Sequence, residues 1–131
     1  MPALDTNVLV RYLVADDKRQ FEAAKNLIES VIEEEGLFIP LSVSIELGWV
    51  LRSRYEFAKD LILSTFCRLL ESHEVQFQEE SSVEIALSLY SDHNIDLADC
   101  FHIAIAHSND ATPLMTFDRK AASVTGAAIV E

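Results

Sequence analysis

Four carboxylates, Asp5, Glu46, Asp99 and Asp118, each stand beside an apolar stretch. Asp5 follows Met1-Pro2-Ala3-Leu4, and Glu46 interrupts Val43-Ser44-Ile45 and Leu47-Gly48-Trp49-Val50. Asp99 is set between Leu97-Ala98 and Cys100-Phe101, and Asp118 follows Leu114-Met115-Thr116-Phe117. An ionised side chain is costly to hold against a core, and a hard divalent cation with oxygen ligands offsets that cost well. Four such acids, spread along the chain, point to one metal site assembled by folding. Each has a plainer reading beside this one: Asp99 as a first-turn acid on a helix dipole, Asp118 as a turn or N-cap residue, Glu46 as a solvated helix residue. Asp5 is harder to explain that way, because it emerges from a strand into Thr6-Asn7. His73, His93, His102 and His107 show no paired metal spacing and read as helix-surface or partly buried residues. His102, three residues after Asp99, is the one of interest.

The elements that must position these acids alternate between short strands and helices. Ala3-Leu4 reads as the end of a strand, and Thr6–Val14 turns away as a helix. Asp16 or Asp17 caps the next helix, whose apolar face is Phe21, Ala24, Ile28, Val31 and Ile32 at helical spacing, with Gly36 as its stop. Leu37-Phe38-Ile39 is a short buried strand stopped by Pro40, and Ser42 is the expected N-cap of a helix through Glu46 and Trp49 towards Arg54. A stripe of Leu61, Ile62, Thr65, Phe66, Leu69 and Leu70 predicts a further helix, and Val75-Gln76-Phe77 alternates as a strand does. Ser81 and Glu84 have the pattern of a capping box ahead of Val83, Ala86, Leu87 and Tyr90, with Asn94 as a left-handed stop. Asp96 stands at the N-cap position of the next helix, which carries Leu97, Phe101, Ile103, Ala104 and Ile105. Pro113 precedes a strand over Leu114-Met115-Thr116; a short helix over Arg119–Ser123, Gly126 and Ala128-Ile129-Val130 close the chain. Strands alternating with helices imply an α/β fold with a parallel sheet covered on both faces. In open parallel sheets ligands gather at the carboxyl ends of the strands, where Asp5 and Asp118 fall directly; Glu46 and Asp99, in the first turn or so of a helix, belong near the same rim.

At 131 residues, half of them hydrophobic, the chain has the apolar mass for one domain, 1–131, and too little length for two. No apolar run approaches the ~18 residues needed to span a bilayer, and no basic segment followed by an apolar one opens the chain. No membrane association is expected, and a cytoplasmic location is. Cys67 and Cys100 both lie in apolar helical surroundings and read as two buried free thiols. The net charge of −12 opposes binding to a phosphate backbone. Part of that charge is the acid set itself, which bound cations would offset, and part crowds into Glu33-Glu34-Glu35, Glu71, Glu74 and Glu79-Glu80. Arg11, Lys18, Arg19 and Lys25, then Arg52 and Arg54, then Arg119-Lys120 supply a local basic rim.

Four strings taken together resemble PIN domains: Leu4-Asp5-Thr6-Asn7-Val8-Leu9; Ser44-Ile45-Glu46-Leu47; Asp96-Leu97-Ala98-Asp99 with Ile103-Ala104-Ile105-Ala106; and Leu114-Met115-Thr116-Phe117-Asp118-Arg119. Their order and spacing are most similar to the VapC-type toxins of bacterial toxin–antitoxin pairs, and the match covers essentially the whole chain. The resemblance implies a three-layer α/β/α sandwich with a short central parallel sheet, and metal-dependent endoribonuclease activity. It makes Asp5, Glu46, Asp99 and Asp118 the ligands of Mg²⁺ or Mn²⁺. Thr6, Asn7 and Thr116 become their hydrogen-bonding supports, and Asp96 either a plain N-cap or an outer support. It also implies a homodimer silenced by a small antitoxin, for which the helix through Leu47, Trp49 and Val50, with Tyr55 and Phe57 beyond, offers contact residues. Simple core packing is the other reading of those five.

The chemistry suits the residues. A carboxylate-held Mg²⁺ lowers the pKa of its bound water and neutralises charge on a phosphodiester, and Asp and Glu are the right ligands for so hard an ion. Neither a His nor a Lys is placed as general base. Arg119 and Lys120, then Arg11, Arg52 and Arg54, are the expected contacts to the RNA backbone. Two other classes compete. A haloacid-dehalogenase-like phosphohydrolase wants a second Asp two residues after the first, where this chain has Asn7. A non-catalytic binding module would have no need to keep all four acids.

Overall fold

Each strand is only three residues long, and Asp118 stands two residues beyond the end of one of them, Leu114–Thr116. The computed structural model describes residues 1–131. The chain divides into two compact units, Met1–Gln78 and Glu79–Glu131.

The first unit holds α1 (Thr6–Val14), α2 (Lys18–Val31), β1 (Leu37–Ile39), α3 (Leu41–Ser53), α4 (Lys59–Glu71) and β2 (Val75–Phe77). β1 and β2 pair in parallel, Leu37 opposite Val75 and Ile39 opposite Phe77, and all four of these side chains are buried. The expected strand end at Ala3-Leu4 is present as a single parallel bridge: Phe38 donates to the Pro2 carbonyl (2.9 Å) and Leu4 donates to the Phe38 carbonyl (3.0 Å). Asp17 caps α2, its carboxylate accepting from the Gln20 N–H. Gly36 adopts φ +73°, and a Cβ there would lie 2.8 Å from the Glu74 carbonyl oxygen. Only glycine satisfies both conditions at the entry to β1. Leu4, Leu9, Val10, Ala24, Ile28, Val43, Leu47, Leu51, Ile62 and Phe66 complete the buried apolar set of this unit.

Ser42 does not cap α3. The helix starts two residues earlier than that cap would set it, after Pro40 (φ −60°, ψ 149°), and the Leu41 N–H donates instead to the Gln78 side-chain oxygen (2.9 Å). Proline's fixed φ sets the start, and a side chain remote in sequence supplies the acceptor. Cys67 is exposed on α4, against the expectation that both thiols are buried, whereas Cys100 is buried.

The second unit holds α5 (Glu80–Asp92), α6 (Leu97–Ser108), β3 (Leu114–Thr116), α7 (Arg119–Ala122) and β4 (Ala127–Ile129). β3 and β4 are also parallel, Leu114 opposite Ala127 and Thr116 opposite Ile129. α5 and α6 bury Val83, Ala86, Leu87 and Tyr90 from one helix and Leu97, Cys100, Phe101, Ile103 and Ala104 from the other. The Ser81–Glu84 capping box does not form. Glu79 stands before the helix in the left-handed region (φ 55°), and Ser82 is buried, donating to the Ser108 hydroxyl (3.3 Å). Packing against α6 thus starts the helix ahead of the serine that local chemistry favours. Asn94 is not a left-handed stop either; α5 ends at Asp92, and His93 leaves it extended (φ −130°). The α/β class and the parallel pairing are as expected from the alternating pattern.

Candidate functional site

Asp5 and Asp118 share one local design. Each follows an extended segment and stands at the N-cap of the next helix, where its Oδ1 accepts a backbone N–H: Val8 for Asp5 and Ala121 for Asp118, both at 3.0 Å. An N-cap aspartate needs only one oxygen for that bond. The Oδ2 of each is left without a hydrogen-bond partner. The cap, one of the two readings the sequence presented for Asp118, therefore uses one oxygen of the carboxylate and does not by itself exclude the other reading. The Asp118 backbone is held in turn by Thr116, whose Oγ1 accepts the Asp118 N–H at 3.0 Å.

Asp99 lies in the first turn of α6 and is partly buried. Burial raises its pKa above the ordinary carboxylate value, the charges of Asp118 and Asp96 raise it further, and His102 opposes them. The negative charges of Asp118 and Asp96 thus act on a third carboxylate that is already partly desolvated, and His102 offsets part of the effect. Asp96 occupies the N-cap position of α6, but its side chain makes no capping bond; its charge acts on Asp99.

In the first unit Glu46 is exposed on α3, in the second turn rather than the first. Thr6 is buried with its Oγ1 lacking any hydrogen-bond partner, and the hydroxyl of Ser44, two residues before Glu46, is likewise buried and unpartnered. Asn7 is exposed and lines an open cleft between α1 and α2 with Arg11, Gln20 and Leu27. Neither unit by itself brings three or more His, Cys, Asp or Glu side chains close enough to hold a metal ion. Asp5 and Glu46 belong to the first unit, Asp96, Asp99 and Asp118 to the second.

The basic residues separate into two groups. Arg11 is engaged: its NH1 donates to both oxygens of Asp16 (2.9 and 3.2 Å) and to the Tyr55 hydroxyl (3.0 Å), which itself donates to Asp16. The bond to Asp16 raises the arginine's pKa. Burial pushes the Asp16 carboxyl up, but the hydrogen bonds from Arg11 and Tyr55 outweigh it and the pKa is lowered. Sequence reading had no signal for this cluster, which joins residues 44 apart in the chain. Arg52, Arg54, Arg119 and Lys120 are exposed and make no ion pair. Of the suggested contact residues on α3, Leu47 is fully buried and belongs to the core, while Trp49 is 63% exposed. Phe117, between the supporting Thr116 and Asp118, is 81% exposed and was not singled out from the sequence, although an aromatic between those two residues was the available signal.

No helix is long and apolar enough to cross a membrane. The family model for the PIN domain matches residues 3–127. Among individual proteins, the chain is similar to a VapC ribonuclease of Aquifex aeolicus (strain VF5), with 25% identity over 121 residues, spanning 92% of this chain and 89% of the relative.

Proposed function

As this chain belongs to the PIN-domain family, we propose that it is a VapC-type endoribonuclease that hydrolyses RNA phosphodiester bonds with Mg²⁺ or Mn²⁺. The observation that carries this reading is the state of Asp99, a partly buried carboxylate facing Asp118 and Asp96 with no cation beside it but the opposing His102. Carboxylate oxygens are the donors a hard divalent ion prefers, and the Oδ2 atoms of Asp5 and Asp118 are not used by the helix caps. In this reading Asp5, Glu46, Asp99 and Asp118 hold the ion within a single nuclease domain, and the unpartnered Thr6 hydroxyl, with Asn7, supports Asp5. When bound, the ion supplies Lewis-acid polarisation of a phosphate oxygen and a water acidified towards neutral pH. The chain's own task is to present ionised oxygens in fixed directions. The α1 and α7 caps fix Asp5 and Asp118, the Thr116 turn fixes the Asp118 backbone, and the first turn of α6 fixes Asp99. By the same family logic the protein acts in the cytoplasm as the toxin of a pair, is a homodimer, and is silenced by a protein antitoxin. Incubating the purified chain with total RNA, with and without Mg²⁺ or Mn²⁺, and mapping new ends tests the activity directly; intact RNA under all conditions rejects it.

Two expected results follow from the charge distribution. Saturating Mg²⁺ or Mn²⁺ should raise the melting temperature at neutral pH, by about 2.7 kcal/mol of stability at a hundredfold excess over Kd. The gain should shrink as the acids protonate at low pH, because protons and the ion compete for the same oxygens. A melting temperature indifferent to both ions at pH 7 rules out a site already assembled in the folded chain. Separately, the double variant Arg119→Ala/Lys120→Ala should weaken RNA binding and lower the slope of log affinity against log salt by about 1.4, roughly 0.7 per lost phosphate contact on a single strand. Metal affinity should stay the same. An unchanged slope places the backbone contacts on other cations.

A further inference from the structure

We infer that the core of the first unit holds a binding site for an uncharged apolar molecule about the size of one aromatic ring. The site is a cavity of about 140 Å³ walled by α1, α2, β1, α4 and β2, all within Met1–Gln78. Its inner wall is Leu4, Leu9, Ile28, Leu37 and Ile39, none of them more than 4% exposed. Tyr12 and Ser72 carry the hydroxyls of the lining; Tyr12 is exposed and Ser72 half-buried, so they mark the mouth. Protein interiors are close-packed and hold few gaps larger than a water molecule. This cavity has several times the room that one water needs.

The lining decides what the cavity takes. A buried water needs about two to four polar partners, and the side chains of the inner wall offer none. At the mouth the Ser72 hydroxyl already donates to Glu74 (3.1 Å). Tyr12, the one aromatic of the lining, stacks on Phe21 of α2 (centroids 6.2 Å apart, planes 12° apart), and the cavity persists beside it. No charged side chain lines it, so a phosphate or a metal ion finds no counter-charge there. Cavities of about 150 Å³ lined by Leu, Ile and Phe stay dry and take up benzene or xenon, and this one matches them in size and lining. The site is separate from the acids, yet it reaches their support. Leu4 leads directly into Asp5, and the Leu9 N–H donates to the Asp5 carbonyl (3.3 Å), so an occupant packs against residues on both sides of that turn. The inference needs no nuclease activity and does not fail with it.

Benzene is the probe. Added to the wild-type chain without metal or RNA, it should raise the melting temperature saturably, by roughly 4–8 °C at tenfold excess over Kd. In a carbon–proton NMR spectrum it should shift the methyl signals of Leu4, Leu9, Ile28, Leu37 and Ile39 and leave those of α5 and α6 in place. Ile28→Phe and Leu69→Phe each push a ring into the cavity, from α2 and from α4. Either variant should fold, melt no lower than the wild type and lose the benzene response, because filling a real gap does not overpack the core. Wild-type methyl signals and melting temperature that ignore saturating benzene overturn the inference. A response that persists in a folded filled variant, or methyl shifts outside the named set, puts benzene elsewhere and overturns it too. If neither variant folds, the space is already occupied by the chain, and the wild-type methyl signals should then stay still; their movement at the named residues alone upholds the site.

Discussion

Asp99→Asn should lower RNA cleavage by at least about 100-fold and, in the same protein without metal, raise the melting temperature at neutral pH. The first effect follows from chemistry: groups that merely support a metal ligand are worth about 10- to 100-fold, so removing a ligand's charge should cost no less than the top of that range. The second follows from the direction of the Asp99 pKa, raised by burial and by Asp118 and Asp96. A carboxyl with a raised folded pKa binds its proton more tightly in the folded chain than in the unfolded one. Its contribution to stability is fully present below the unfolded value, is lost as pH rises through the folded value, and is absent at neutral pH. Asparagine carries no charge to be desolvated or repelled, so the variant escapes that loss. The difference in melting temperature should be largest near pH 7 and close as pH falls through the raised value towards the ordinary aspartate range, ~3.9. Asp5→Asn should match the loss of cleavage, and asparagine still caps α1, so a fall in activity there cannot be blamed on the helix. Cleavage by Asp99→Asn at near the wild-type rate removes Asp99 from the site; a temperature gap insensitive to pH removes the electrostatic explanation.

What could be read in advance was what local chemistry decides. Leu37–Ile39, Val75–Phe77 and Leu114–Thr116 are strands because short apolar or alternating runs are bounded by Gly36, Pro40 and Pro113. Thr6–Val14 and the Asp17 cap are helical grammar of the same kind. The misreadings share a cause: in each, tertiary contact or fixed backbone geometry overrode a good local signal. Ser42 lost the cap of α3 to Pro40 and Gln78, and Ser81 lost the start of α5 to the burial of Ser82 and Val83. Among the candidate site residues, the positions of Asp5, Asp118 and Thr116 at element boundaries were legible, because there side chain and backbone have defined relations. Glu46, mid-helix, carried no such signal, and the structure places it a turn further in than its pattern suggested. Arg11 was read only as a contact to RNA; its cluster with Asp16 and Tyr55 could not be read, since Tyr55, 44 residues on, is brought to it by packing and not by spacing.

Phe101→Ala should do the opposite of Asp99→Asn, lowering stability by about 3–5 kcal/mol while leaving the chemistry of each folded molecule in place. Phe101 is fully buried on α6, two residues beyond Asp99, among Leu97, Cys100, Ile103 and Ala104. Removing its ring deletes apolar contact and leaves a cavity that close-packed neighbours fill only in part. For a fold whose total stability lies in the usual range of about 5–15 kcal/mol, that is a large fraction. Urea titration should show an earlier midpoint at unchanged slope, the sign that stability and not the extent of unfolding has moved. Phe101 has no group that can bind an ion or phosphate, so cleavage per folded molecule, measured well below the midpoint, should remain. Under the proposed function one helix then carries two separable roles: Asp99 would hold charge for chemistry at the expense of stability, and Phe101 supplies the burial that lets the helix bear it. A loss of less than about 1 kcal/mol in Phe101→Ala, at the scale of a trimmed methyl group, means that α6 is anchored by something other than this core.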